Sequence, residues 1–357
     1  MRRTLVDAFS GAGGLSLGLK QAGYEPLLSF DNDPRSIETQ MMNPECFDHR
    51  LACASVDAML GGGVLKEAGL ERGELSLLAG GPPCQGFSIQ RIGHDEDTRN
   101  NLVLEFMALV EEMMPRHFLM ENVLGIVGRR GRALLKHAVG MAAEAGYWVH
   151  HQVVDAQDYG VPQRRRRVFI VGERSDVGLA SFMFPNPTTP LGSRKTVRET
   201  IGHLPPTPED GSEHPRIRHH RKDKLSEMNM KRLLALKPGQ GRQHLPEELL
   251  ADCHRRDSSM IGHRNVYGRM AWDDVAPTIT ARFDSFTRGL FGHPEQTRSI
   301  SLREGALLQT FPADFVFSGN KVDVARQIGN AVPSALAKAI GEQILACGES
   351  EASLRPA

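Results

Sequence analysis

Short apolar runs alternate with amphipathic stretches over the first half of the chain. The runs that predict strands are TLVDAF (4–9), PLLSF (26–30), LSLLAG (75–80), HFLMENV, WVHHQVVDA and RVFIVGE. Residues 101–114 place five apolar side chains on one face of a predicted helix, those of Leu102, Phe106, Leu109, Val110 and Met113. This alternation of strands and helices predicts a parallel, doubly wound α/β sheet.

The pattern changes after Gly172. The segments FPNPTTPLG and LPPTPEDG are rich in proline and turn residues, and the chain stays irregular and basic to about residue 299. Helical periodicity returns in SLREGALLQTF and VPSALAKAIGEQILA. We therefore expect one domain from residues 1–180 plus 300–346, a second, smaller domain at 181–299, and a flexible tail at 347–357.

Composition is that of an ordinary globular protein, with 357 residues, 40% of them apolar and 24% charged. No apolar run approaches the roughly 18 residues of a membrane span, and the first residues lack the pattern of a signal peptide. The five cysteines are widely spaced and form no CxxC pair, which argues against a disulfide framework or a zinc knuckle and favours a reducing compartment. The formal net charge is zero, yet residues 160–232 hold fifteen Lys and Arg against eight Asp and Glu.

A glycine-rich segment, DAFSGAGGLSLG (7–18), follows the first strand and opens a helix. Glycines there let the backbone approach a ligand, and Asp31, at the end of the next strand, can accept the hydroxyls of a ribose. Read from Gly11, the GxGxxG pattern breaks at Ser16. A nucleoside cofactor without a pyrophosphate, such as S-adenosylmethionine, therefore fits at least as well as a dinucleotide, and a simple tight turn remains the alternative.

Two residues with reactive side chains follow predicted strands. Cys84 lies in GGPPCQGFS just beyond LSLLAG, at the sheet edge where ligands bind, although a lone cysteine is more often a small buried apolar residue. Glu121 in MENV ends another strand at the same edge. A partly desolvated carboxyl there can act as an acid, and a helix cap or an ion pair is the alternative.

Four consecutive arginines begin the strand of VPQRRRRVFIVG. Strand alternation sends Arg165 and Arg167 to one face and Arg164 and Arg166 to the other. They can supply charge for phosphates or for a developing oxyanion, or they can form a solvated basic run.

Six segments in order resemble the DNA (cytosine-5) methyltransferase family. They are DAFSGAGG, GGPPCQGFS, MENV, PQRRRRVFIVG, RSISLREGALLQTFP and RQIGNAVP, with a variable basic region between the fourth and the fifth. The resemblance implies a mostly parallel Rossmann-like methyltransferase sheet in the catalytic domain. It also implies that residues 181–299 form an irregular target-recognition domain that reads DNA.

The resemblance also implies a mechanism. The target cytosine is flipped out of the duplex, the Cys84 thiolate attacks C6, and Glu121 stabilises protonation at N3. C5 then takes the methyl group of S-adenosylmethionine, while Arg165 and Arg167 lie near the flipped base and its phosphates.

The resemblance assigns the remaining site residues one by one. The cofactor pocket is expected at Phe9, Gly11, Ala12, Gly14, Asp31, Asn32, Asp57, Pro83, Leu102 and Asn330. Asp31 is a departure, because the family usually has glutamate there, and Asn32 stands where some members have an aromatic residue. Asp57 is assigned to the adenine amino group. DNA contacts are expected at Gln85, Ser88, Arg91, Gln163 and Arg164.

The expected partner is double-stranded DNA, bound by a monomer without a metal or a membrane, in the cytoplasm at the nucleoid. A cognate restriction endonuclease would act separately. A tRNA cytosine-5 methyltransferase is the main rival interpretation, but its Cys-Phe-Thr signature has only SFTR (285–288) here. The broken glycine pattern disfavours a nicotinamide-dependent oxidoreductase, and the intact Cys84 and Glu121 disfavour a DNA-binding protein without catalysis.

Overall fold

The computed structural model describes residues 2–83, 101–178, 182–252 and 266–353. The chain divides into two compact units. The first comprises Met1–Asp155, Arg166–Thr188 and Ala331–Ala357, and the second comprises Ala156–Arg165 and Thr189–Asn330. The predicted domains, 1–180 plus 300–346 and 181–299, stay a prediction.

A seven-stranded sheet forms the centre of the first unit. Its strands are β1 (Thr4–Ala8), β2 (Glu25–Asp31), β3 (Arg50–Cys53), β4 (Leu77–Gly80), β5 (His117–Asn122), β6 (Tyr147–Asp155) and β7 (Arg166–Arg174). Their order is β3-β2-β1-β4-β5-β7-β6, and β7 runs in the direction opposite to the other six strands. The mostly parallel α/β fold predicted from the sequence is thus confirmed. Strand order reverses between β1 and β4, the position where such sheets bind ligands at their carboxyl ends.

Helices occur in both units. The first unit contains α1 (Gly14–Ala22), α2 (Pro34–Met41), α3 (Val56–Met59), α4 (Gly63–Ala68), α5 (Asn101–Met113), α6 (Arg132–Glu144) and α11 (Ser334–Ser353). The second contains α7 (Val197–Ile201), α8 (Glu227–Leu234), α9 (Leu302–Leu308) and α10 (Lys321–Asn330). Residues 347–353 of the predicted tail are the end of α11. Among the described residues, no helix is long and apolar enough to span a membrane.

The core of the first unit lies where α5 and α6 cover the sheet. Four of the five predicted apolar positions of α5 are fully buried, and Leu102 is half-buried. Phe106 meets Phe118 of β5 edge to face, with ring centroids 6.4 Å apart. This packing fixes β4 and β5, and therefore the described residues that directly follow them, residues 81–83 and Val123.

Buried arginines hold much of the irregular second unit. Arg269 donates to the carbonyl oxygens of Leu233, Leu236, His293 and Gln296, and Arg298 binds Glu304 through both terminal nitrogens at 2.7 Å. Loop backbone that lacks a helical or sheet ladder still needs hydrogen-bond donors, and a guanidinium group supplies five of them.

Candidate active site

The glycine loop between β1 and α1 has an unusual backbone. Phe9, Gly11 and Gly13 have φ angles of 57, 53 and 83 degrees. A Cβ atom placed on Gly11 would meet no atom within 4 Å, whereas one on Gly13 would lie 2.3 Å from Cζ of Phe47. The side chain of Phe47 therefore packs against the loop at Gly13, whereas the space next to Gly11 is open. Ala12 and Gly14 are buried beside it, and Phe9 is half-buried.

Asp31, at the carboxyl end of β2, holds this loop. One carboxylate oxygen accepts the backbone N–H of Gly11 and the other accepts that of Asp33, each at 2.8 Å. Gln40 of α2 supports the loop from the other side, because its Nε2 donates to Ser10 Oγ and to the Gly11 carbonyl, each at 2.8 Å. These hydrogen bonds fix Asp31 beside the glycine loop at the carboxyl edge of the sheet.

A buried hydrogen-bond chain beneath the loop was not predicted from the sequence. Oδ2 of Asp7 in β1 accepts Ser16 N at 3.1 Å and Ser16 Oγ at 2.7 Å. Ser16 Oγ lies 2.9 Å from Ser29 Oγ, which lies 2.8 Å from Nε2 of His49. Because Ser16 donates to the carboxyl, the chain is satisfied when His49 Nε2–H donates to Ser29 and Ser29 donates to Ser16.

Burial controls the ionisation of both ends of this chain. It raises the pKa of Asp7 to about 7, although the hydrogen bonds from Ser16 act in the opposite direction. Burial also lowers the pKa of His49 to about 4. Asp7 Oδ1 and His49 Nδ1 have no hydrogen-bond partner among the described residues. The signal in the sequence was an acidic residue inside an apolar strand, directly before the glycine loop.

The loop after β4 runs beside Glu121. Asn122 Nδ2 donates to the carbonyl of Pro82 at 3.1 Å, and a Cβ atom on Gly81 would lie 3.5 Å from Glu121 Oε2. Pro83 is half-buried. These contacts fix the start of GGPPCQGFS against the end of β5, and Asn122 is a positioning residue that sequence reasoning missed. Cys84, Gln85, Ser88 and Arg91 lie outside the described residues.

Glu121 is paired with Arg167, as the ion-pair alternative anticipated. Arg167 Nε lies 2.9 Å from Glu121 Oε1. The geometry is that of an ion pair rather than a directed hydrogen bond, so Oε1 has no hydrogen-bond partner within the described chain. Both side chains are more than four-fifths buried. The pair thus presents a positioned carboxyl next to a guanidinium group at the carboxyl edge of the sheet.

Three other predicted cofactor residues in the first unit lie around this edge. Asn32 is exposed directly after β2, Asp57 is exposed in the first turn of α3, and Leu102 is half-buried on α5. Glu105, one turn further along α5, has its pKa raised by partial burial and by the charge of Asp57. The two carboxyl groups therefore interact, which places Asp57 near α5.

Four predicted residues belong to the second unit. Arg165 is buried, and its Nη1 donates to the carbonyls of Ile279 and Gly329 at 3.0 and 3.1 Å. Gln163 is fully buried and binds Leu308 O, Gln309 Oε1 and Ile279 N, so any effect on DNA would act through the backbone it holds. Arg164 is exposed, and its Nη2 donates to both carboxylate oxygens of Asp274. Asn330 is exposed at the end of α10.

The carboxyl edge of the first unit is the candidate active site of this chain. No group of three or more metal-binding side chains occurs among the described residues. The carboxyl edge of the first unit instead gathers an open glycine loop, an acid at the end of β2, the start of the cysteine loop, and a buried carboxyl–guanidinium pair.

Comparisons with known proteins agree with this arrangement. Residues 3–346 match the family model of C-5 cytosine-specific DNA methylases. The Type II methylase M.HgiDII of Herpetosiphon aurantiacus is 36% identical over 344 residues, which cover 95% of this chain and 94% of that protein. The Type II methyltransferase M1.HphI of Haemophilus parahaemolyticus is 34% identical over 354 residues, which cover 98% of this chain and 89% of that protein. The crystal structure of a DNA modification methyltransferase encoded within an E. coli prophage aligns with a TM-score of 0.67 at 26% identity, covering 96% of this chain and 99% of that one.

Proposed function

The chain belongs to the family of C-5 cytosine-specific DNA methylases, and from this premise we propose how its residues carry out the reaction. The enzyme methylates C5 of a cytosine that is flipped out of a short, specific sequence in double-stranded DNA. One observation carries the proposal: Glu121 is buried against the beginning of the cysteine loop, with Oε2 3.5 Å from the Cβ position of Gly81.

S-adenosylmethionine is the proposed cofactor, and it supplies an electrophilic methyl group. The open space over Gly11 and the carboxylate of Asp31 fit a nucleoside at the carboxyl edge of β1 and β2. Phe9, Ala12 and Gly14 would line the same side, and Asn32, Asp57, Pro83, Leu102 and Asn330 would complete the pocket. Asp31 would keep its backbone hydrogen bonds while it accepts from the ribose.

Cys84 is the proposed nucleophile. Its thiolate attacks C6 of the cytosine, a covalent bond forms between sulfur and carbon, and the ring electrons move towards N3. Protonated Glu121 gives its proton to N3 and is left as a carboxylate paired with Arg167, so negative charge does not accumulate on the ring. Arg167 holds the Glu121 carboxyl in place. The hydrogen bond from Asn122 to Pro82 fixes the start of the cysteine loop, and we propose that it limits the directions from which the sulfur can approach the base. After methyl transfer to C5, a base takes the C5 proton, the C5–C6 double bond forms again, and the sulfur leaves C6 as a thiolate.

DNA binding is proposed for the remaining predicted residues. Arg164 would exchange Asp274 for a backbone phosphate, and Gln163 and Arg165 would hold the backbone that presents Arg164. Gln85, Ser88 and Arg91 would contact the duplex. Residues 181–299 would read the target sequence. We also propose that the enzyme acts as a monomer in the cytoplasm and that a restriction endonuclease of matching specificity acts separately.

The deciding experiment is expression in a host without cytosine methylation, followed by sequencing that detects 5-methylcytosine. Methylation confined to one short motif is expected, and it would also identify the recognition sequence. Cys84→Ala should abolish methylation while S-adenosylmethionine still binds. Unmethylated DNA combined with methylated tRNA would instead favour the RNA substrate, and methylation by Cys84→Ala would refute the covalent step.

A further inference from the structure

Residues 214–224 of the second unit form a tightly folded segment, which we call the basic segment. His214 N donates to His220 O at 2.9 Å, and Ile217 N donates to His214 O at 3.2 Å. His219 has a φ of 63 degrees, a backbone conformation that non-glycine residues adopt only where the surroundings hold them in it. The segment therefore has a defined shape although it contains no helix or strand.

A buried arginine clamps the backbone of this segment. Arg303 of α9 is only 1% exposed. Its backbone N–H donates to His219 O and its Nε donates to Arg218 O, both at 3.0 Å. Its terminal nitrogens donate to Pro312 O at 3.3 Å and Phe315 O at 2.7 Å. The charge of Arg303 is thus used internally, and the backbone at residues 218 and 219 is fixed to α9.

Two inward-facing histidines add further anchors. His220 is fully buried, with Nδ1 2.9 Å from Ser301 Oγ and Nε2 2.8 Å from Pro205 O. Nε2 of His219 accepts the N–H of Phe317 at 3.1 Å. An accepting ring nitrogen is unprotonated, and burial, reinforced by Arg303, lowers the pKa of His219 to about 4. Both rings therefore anchor the segment and leave its surface charge to other residues.

The outer surface of the segment carries unneutralised positive charge. Arg216, Arg218, Arg221 and Lys224 are exposed, and within the described part of the chain none of them has a carboxylate within 4.0 Å. Among the neighbouring charges, Lys222 binds Glu209, Asp223 binds Lys321, and Glu213 is an exposed carboxylate directly before the segment. Elsewhere in the unit, Arg164, Arg194 and Arg198 also have aspartate partners. Four cations on a fixed backbone repel one another, and a polyanion would relieve that repulsion.

We propose that the basic segment binds backbone phosphates of the DNA substrate, without regard to sequence, through Arg216, Arg218, Arg221 and Lys224. Guanidinium groups match phosphate oxygens in geometry, and the rings of His219 and His220 point inward, so they are not available to stack on bases. The proposal rests on the proposed function, since it takes DNA to be the substrate. It assigns the segment to affinity and orientation, and base reading to other residues.

The test compares three double variants with the wild type. R216Q/R218Q removes two cations from the segment, and R216K/R218K keeps the charge. K66Q/K136Q removes two exposed cations from α4 and α6 and is the charge-matched control. The dissociation constant for a random-sequence DNA duplex is measured over a range of salt concentrations, and the methylated motif is mapped on unmethylated plasmid DNA.

The logarithm of the association constant falls linearly with the logarithm of the salt concentration. Each lost phosphate contact should reduce the magnitude of that slope by about 0.9. The wild type should therefore lose about tenfold more affinity than R216Q/R218Q between roughly 50 and 200 mM salt. R216K/R218K and K66Q/K136Q should keep the wild-type slope, and every variant should methylate the same motif.

An unchanged slope for R216Q/R218Q would overturn the proposal, and so would a shift of its methylated motif, which would indicate base reading. Equal slope losses in R216K/R218K and R216Q/R218Q would overturn it as well, since charge would then not be the cause. Failure of the proposed function is a separate result: the wild type would methylate no DNA, whatever the slopes are.

Discussion

Asp7 shows how one buried side chain can link the stability of the fold to pH. Its carboxyl is completely buried and accepts both the backbone and the hydroxyl of Ser16, so it fixes the first turn of α1. Burial raises its pKa to about 7, whereas an unfolded chain would ionise it near pH 4. Between these values the folded state binds a proton that the unfolded state does not, so this contribution to stability falls as pH rises.

The variant Asp7→Asn removes that titration but keeps a neutral hydrogen-bonding side chain. The free energy of unfolding of the wild type relative to Asp7→Asn should decrease by up to about 1.4 kcal/mol per pH unit between about pH 4 and 7, and then level off. Urea unfolding monitored by circular dichroism measures it. Glu25→Gln, which removes a carboxyl from an exposed position, is the control. A pH-independent difference for Asp7→Asn would mean that Asp7 is ionised throughout.

Glu121 allows a separate test of chemistry against structure. Glu121→Gln keeps the size of the side chain but removes its acidity and its ion pair with Arg167. We expect methyl transfer to fall by about 10²–10⁴-fold, the usual range for a lost general acid, with little change in cofactor affinity. Single-turnover methylation and equilibrium binding of S-adenosylmethionine measure the two effects. Glu105→Gln, on α5, is the control, and equal losses in both variants would count against a chemical role for Glu121.

The residue scale also shows where sequence reasoning stops. The placement of Asp31 beside the glycine loop and of Glu121 beside the cysteine loop followed from strand ends at one sheet edge. The chain from Asp7 to His49 could not be predicted, because it depends on the β1–β2 register that puts Asp7 opposite Ser29. Neither could the use of Arg165 as an internal clamp, since alternation gives a side chain's face but not its partners.

At the scale of elements, the close contact between α1 and α11 depends on a glycine, Gly18, which has no side chain at the point of contact. A Cβ atom on Gly18 would lie 2.2 Å from Ser334 O and 2.5 Å from Ala337 Cβ. Gly18→Ala should therefore destabilise the protein by about 1–3 kcal/mol through overpacking, despite the better helix propensity of alanine. Gly140→Ala in α6 is the matched control, because its Cβ would meet nothing within 4 Å. That variant should gain up to about 1 kcal/mol, and thermal unfolding should show opposite signs for the two.

Strands that a pattern can predict are those with a long apolar run. Six of the seven were predicted because they contain runs of apolar or β-branched residues, and these runs are largely buried in all of them except the edge strand β6. β3 was missed because it is a four-residue edge strand, RLAC, with no fully buried position. The antiparallel direction of β7 could not be predicted either, because the periodicity of apolar residues carries no information on strand direction.

The whole molecule combines a regular first unit with a second unit held by buried arginines and histidines. Burial lowers the pKa of four histidines to about 4: His49 and His117 in the first unit, and His219 and His293 in the second. An unfolded chain protonates them near pH 6.5. As pH falls below that value the unfolded state takes up protons that the folded state refuses, so stability falls, opposite in sign to the Asp7 contribution.

Four histidines against one aspartate predict that the protein is less stable in mild acid. Between about pH 6.5 and 5, each histidine can lower the free energy of unfolding by up to about 2 kcal/mol. The opposite contribution of Asp7 cancels that of about one histidine. Urea midpoints at pH 5 and pH 7 should show the loss. His117→Gln should reduce this loss because residue 117 then cannot titrate, and His151→Gln, which replaces a histidine at an exposed position, is the control. Because each unit contains two of the four histidines, both units should lose stability in acid, and equal midpoints at the two pH values would mean that the buried rings are protonated in the folded state.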